Sequence, residues 1–165
     1  MRKHSLLVSS AMILAFLLTT AVAARAAEPS LGTWKLNLAQ SKFPPNQPGL
    51  AAPKQETVVK RAVGDNFEVT ITGIAADGSP MAAKITQPQQ GGVIKFVQGG
   101  LPEGLSEVAT VIGPGEFYVT QLQDGKQVQV EHIVVSKDGK TMRVNLHRID
   151  AQGHASQAIE VWDKQ

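Results

Sequence analysis

His132, His147 and His154 are the side chains best suited to hold a metal ion or relay a proton, so their spacing is the first thing to test. No pair stands at i, i+2 or i, i+4, the separations that present two imidazoles to one ion from a strand or a helix. His147 and His154 flank a turn centred on Gln152-Gly153 and could approach across a hairpin, with Glu131 or Glu160 as a third ligand. The competing reading makes both solvent-facing neighbours of Arg143 and Asn145 on a polar strand face. The chain has no cysteine and no Gly-x-Ser-x-Gly elbow, and Ser106, Ser136 and Ser156 fall at strand or turn edges, where serine is common punctuation. Glu103 with Glu107, or Glu116 with Glu131, would make a glycosidase-like carboxyl couple only if strands brought them together. Gly91-Gly92 and Gly99-Gly100 neither open a helix nor precede the Lys-Ser/Thr of a phosphate loop. These residues assign no catalytic group, no metal and no cofactor, and the chain reads as non-enzymatic.

What positions such side chains begins behind a leader. Residues 1–26 read as a cleavable signal peptide: Arg2 and Lys3 open it, Leu6 to Ala24 is largely apolar, and Ala24-Arg25-Ala26 ends it with a small-x-small site. A retained membrane span is the alternative, but Ser9, Ser10, Thr19 and Thr20 dilute the run. With no cysteine there is no lipoprotein anchor and no disulfide framework. The expected location is the periplasm or the medium, without a stable membrane anchor. Arg2, Lys3 and Arg25 depart with the leader, so the formal charge of +2 becomes −1. No basic stripe survives, and Phe67, Phe96, Phe117, Tyr118 and Trp162 are the few rings beyond Lys54, so nucleic acid is not an expected partner.

Residues 27–165 then form a single domain. The four prolines between Lys42 and Pro53 exclude helix and ladder there, leaving an extended loop. Beyond it the apolar period is two. Phe67, Val69 and Ile71 alternate with Asn66, Glu68, Thr70 and Thr72, and Met142, Val144 and Leu146 with Arg143, Asn145 and His147. Over Gln127–Val135 the expected inward set is Val128, Val130 and Val134. Gly64-Asp65-Asn66, Asp77-Gly78, Asp124-Gly125, Asp138-Gly139 and Gln152-Gly153 supply hairpin turns, and connections this short force sequential antiparallel pairing. The expected fold is all-β, an antiparallel up-and-down meander of about eight to ten strands closing into a barrel. A two-sheet sandwich is the alternative.

The run Leu31–Phe43 (LGTWKLNLAQSKF), the Val135–Met142 hairpin (VSKDGKTM) and the closing Ile149–Gly153 turn resemble a family of small exported bacterial proteins, lipocalin-like and without an established activity. Residues 84–119 do not carry the resemblance. It implies a lipocalin-like (calycin-type) barrel and an exported location. In the wider lipocalin analogy the Gly-x-Trp tryptophan, here Trp34, closes the barrel floor beneath an arginine, for which Arg143 or Arg148 would serve.

Alternation and the Gly-x-Trp start together nominate a lining of Trp34, Phe67, Val69, Ile71, Phe117, Val128, Val130, Val144 and Leu146. An inward apolar lining suits a pocket for a small hydrophobic ligand, and it equally suits a barrel packed solid with its own side chains. Two functions follow: a carrier of a small apolar ligand, with the glycine-rich Gln98–Leu105 segment as a possible lid, or a filled barrel serving as an envelope structural or protein-interaction module.

Overall fold

The computed structural model describes residues 28–45, 47, 50–100 and 102–165; the expected leader lies outside the described residues. The alternating segments form ten strands: β1 (Gly32–Leu36), β2 (Gln55–Val63), β3 (Asn66–Ile74), β4 (Pro80–Pro88), β5 (Gly92–Gln98), β6 (Leu105–Gly113), β7 (Glu116–Gln123), β8 (Lys126–Val135), β9 (Thr141–Ile149) and β10 (Ala155–Lys164). Each pairs antiparallel with its chain neighbours, and β1 joins β10 to close the barrel. In that last seam Trp34 stands opposite Lys164 and Leu36 opposite Trp162. Closure leaves no unpaired edge, which is how a meander of this length avoids presenting a template to other strands. The sandwich alternative is thereby excluded.

The Pro-rich segment connects β1 to β2 and folds over one end of the barrel. Lys42 exchanges backbone hydrogen bonds with Ile159 of β10, at 2.7 and 2.8 Å. Leu50 then buries itself against Leu146 and Ala158, with Phe43 packed alongside. The prolines therefore stop the segment from joining the ladder while leaving its apolar residues free to cap the interior.

The opposite end is closed from the N-terminal side. Trp34 is fully buried (0% exposed), and its indole N–H donates to the Ser30 carbonyl at 2.9 Å. One Glu28 carboxylate oxygen ties this turn together, accepting from the Ser30 hydroxyl at 2.9 Å and from the Gly115 N–H at 2.8 Å. The cation over the indole is Lys164, 5.0 Å from the ring centre, not Arg143 or Arg148. Arg143 is on the outer face, bonded to Asn145, and Arg148 lies towards the other end of β9. Gly32 explains the glycine of the Gly-x-Trp start: its φ is +126°, and a Cβ there would lie 2.9 Å from Lys164 Cε.

A second glycine is set by space alone. A Cβ on Gly73 would meet the backbone carbonyl of Gln55 across the β2–β3 pairing. Gly73→Ala should cost about 1–3 kcal/mol, read by thermal unfolding, since only a backbone shift relieves the clash. An unchanged midpoint would contradict it.

Inward orientation follows the expected alternation on β3 and β9. Phe67, Val69, Val144 and Leu146 are buried, and Glu68 turns outward to Lys84, 2.8 Å away. On β8 the expectation fails. Pairing places Ile133 opposite Phe117 and Glu131 opposite Val119, so Glu131 and Ile133 face inward and Val130 and Val134 face outward. The cause is register: directly opposed residues share a face, and the buried Phe117 fixes which face that is. Near the β7–β8 turn the register shifts between Gln121 and Leu122, leaving Val128 unpaired on the β7 side.

Candidate functional site

The barrel is not filled. It holds a partly open cavity of about 370 Å³ whose walls are mainly apolar, among them Trp34, Ile85, Phe96, Phe117, Ile133 and Trp162. Of the residues expected to line it, Trp34, Val69, Ile71, Phe117 and Val144 do. Phe67 is buried but lies beneath Lys60, whose ammonium is 4.2 Å from its ring centre. Leu146 belongs to a separate cavity of about 190 Å³ under the Pro-rich segment. Val130 is on the outer face, for the register reason given above, and Val128, at the register shift, does not line the cavity.

Seven polar residues share the cavity wall: Ser30, Glu56, Lys60, Gln87, Glu107, Glu131 and Glu160. Four are carboxyls, one each from β2, β6, β8 and β10, all aimed inward by the two-residue period. Burial raises the Glu131 carboxyl to about 8, with further lifts from Glu160, Glu107 and Glu56 against a hydrogen bond from Gln129. Burial, then Glu160, raises Glu56 to about 7. Glu107 and Glu160 are also raised by burial, each partly offset by one donor. The donors are Gln121 to Glu107 at 3.1 Å, Gln129 to Glu131 at 2.9 Å and the Trp162 indole to Glu160 at 3.2 Å. Near neutral pH Glu131, and Glu56 in part, hold protons that ordinary carboxylates have lost, because ions are poorly solvated between apolar walls.

At the floor Lys60 is the opposite case. Its side chain is 6% exposed, its ammonium sits between Phe67 and Phe117 at 4.2 and 4.3 Å from their ring centres, and burial lowers it to about 8 against the pull of Glu28. Gln87 completes the set. It is 3% exposed, and its Nε2 has no hydrogen-bond partner among the described residues.

Sequence reasoning reached Glu131, Glu107 and Glu160 only in other pairings. Glu116 is on the outer face, bonded to His132 at 3.0 Å, so it forms no couple with the inward Glu131. Glu131 and Glu160 are inside, whereas His147 is exposed and His154 bonds Asp150 at 3.1 Å, so the imagined metal site does not assemble. Glu56, Lys60 and Gln87 were missed. One signal was available: Trp162 shares a strand face with Glu160, and a tryptophan marks the inward set better than a valine does.

No protein-family model and no curated protein matches the chain. Solved structures do. Over 83% of this chain and 99% of the other, the zebrafish ileal bile acid-binding protein complexed with cholic acid superposes with a TM-score of 0.53 at 12% identity. Rv2717c from M. tuberculosis matches 83% of this chain and 93% of its own with a TM-score of 0.50 at 18% identity. At such identities the likeness concerns the fold. It is a calycin-type barrel.

Proposed function

We propose that the protein is a non-enzymatic carrier that holds a small, largely apolar molecule inside its barrel, acting outside the cytoplasm once the leader is removed. The observation that carries this reading is the cavity of about 370 Å³ between apolar walls, a size within the usual range of small-molecule sites. A filled barrel, the alternative reading, would have packed that volume with side chains. The zebrafish relative by fold is complexed with cholic acid, which supports a small molecule as the class of partner. Trp34 and Trp162 line the cavity, so their fluorescence reports its occupation directly. Titration with decanol should shift that fluorescence saturably, with one equivalent bound. An unchanged spectrum up to the solubility limit would favour the filled-barrel alternative.

A further inference from the structure

Glu56, Glu107, Glu131 and Glu160 reach one cavity from four strands, no two of them neighbours, with few donors to meet them. Protein groups supply one hydrogen bond each to Glu107, Glu131 and Glu160, and no described residue donates to Glu56. Carboxyl oxygens held between apolar walls gain from donors that a ligand would bring. An independent feature of the same wall asks for a ligand too: the buried Gln87 amide presents an unpartnered donor. The charges are also segregated. Lys60 is four residues beyond Glu56 on β2, about 13 Å along the strand, and its ammonium already rests between two rings.

We propose that the carried molecule is an organic cation, an apolar chain or ring system bearing a protonated amine that seats among Glu56, Glu107, Glu131 and Glu160, with an acceptor group elsewhere on it taking the Gln87 amide. The proposal rests on the carrier reading and specifies its ligand. An ammonium supplies three donors and a positive charge to a group of four carboxyls that three protein donors meet only in part. On binding, the carboxyls that hold protons in the empty barrel release them to solvent, so one charge enters as others are uncovered. The charged and titratable groups facing the cavity are these four carboxyls and Lys60, with Glu28 at the floor. Arg148 continues the inward row of β9 towards the rim, opposite Gln129.

The test is calorimetric titration of the full mature protein with decylamine, decanol and decanoate, which share a chain and differ in the head. At about pH 8 decylamine should bind roughly tenfold or more tighter than decanol, the value of one charge-assisted hydrogen bond. Its binding should release protons, seen as a dependence of the heat on buffer, and should tighten from about pH 6 to about pH 8 as Glu56 and Glu131 ionise. In Glu131→Gln/Glu160→Gln the amine-over-alcohol ratio should fall towards one. A ten-carbon chain with an amine at one end and a hydroxyl at the other should outbind decylamine, and Gln87→Leu should remove that gain; no gain in the parent protein would overturn the role given to Gln87. The three-ligand comparison in the unmodified protein stands even where a variant fails to fold. Decanoate binding tightest, or all three heads binding alike, would overturn the cationic ligand while leaving a carrier. Binding of none would overturn both.

Discussion

Trp34→Ala should cost about 3–5 kcal/mol of folding stability, the range found when large aromatic side chains are removed from cores. Trp34 is fully buried and packs with Leu36, Phe117, Met142 and Trp162 in one cluster. It lies on the strand that closes the barrel, so the cavity left by alanine opens at the β1–β10 seam. The loss has three components: apolar burial, the hydrogen bond to the Ser30 carbonyl, and the Lys164 ammonium over the ring. Equilibrium unfolding in urea measures the total. Trp34→Phe separates the components, keeping most of the burial while leaving the Ser30 carbonyl without its donor, at about 1–3 kcal/mol. A loss below about 1 kcal/mol for alanine would contradict the placement of Trp34 in the core.

The empty protein should also lose stability as pH rises, by at least about 3 kcal/mol between about pH 5 and about pH 8.5. Glu56 and Glu131 titrate near 4.5 when unfolded and near 7 and 8 when folded. Between those values the folded state binds more protons than the unfolded one, so stability is full below about 4.5 and declines as pH climbs through the folded values. Glu107 and Glu160 shift in the same direction. Lys60 acts in another window: its folded value of about 8 lies below the ordinary 10.5, so the unfolded chain binds more protons there and stability recovers somewhat above pH 8. Urea midpoints across this range should fall, and Glu131→Gln should flatten the fall. A flat profile, or one rising from pH 5 to pH 8, would contradict the burial of these carboxyls.

The barrel was legible because its determinants are local. Asp77-Gly78, Asp124-Gly125 and Asp138-Gly139 set hairpins, and Phe67-x-Val69-x-Ile71 and Met142-x-Val144-x-Leu146 declare their inward faces without competition. The polar interior was not legible because on its strands both faces carry apolar residues. In β8, Val128 and Val130 compete with Ile133 and Val135; in β10, Ile159 and Val161 compete with Ala158 and Trp162; in β2, Val59 competes with Val58. Period alone cannot choose between such sets, and preference for the apolar one selects the wrong face when the protein has turned glutamates inward. Register with neighbouring strands settles it, as Ile133 opposite Phe117 does for β8 and Trp162 opposite Leu36 for β10. The basic partner of Trp34 was misplaced for a similar reason: Lys164 reaches it through the closing pairing of first and last strands, which no local pattern reveals.

A barrel interior that is a site rather than a packing fault should be occupied in the cell. Native mass spectrometry of the protein isolated from the cells that produce it tests this most directly. The predicted result is a fraction of the protein carrying one additional small molecule, lost on collisional activation and absent when the cavity is filled by Ile85→Trp. A single ligand-free mass from gently isolated protein, together with no binding of decanol or decylamine, would contradict it.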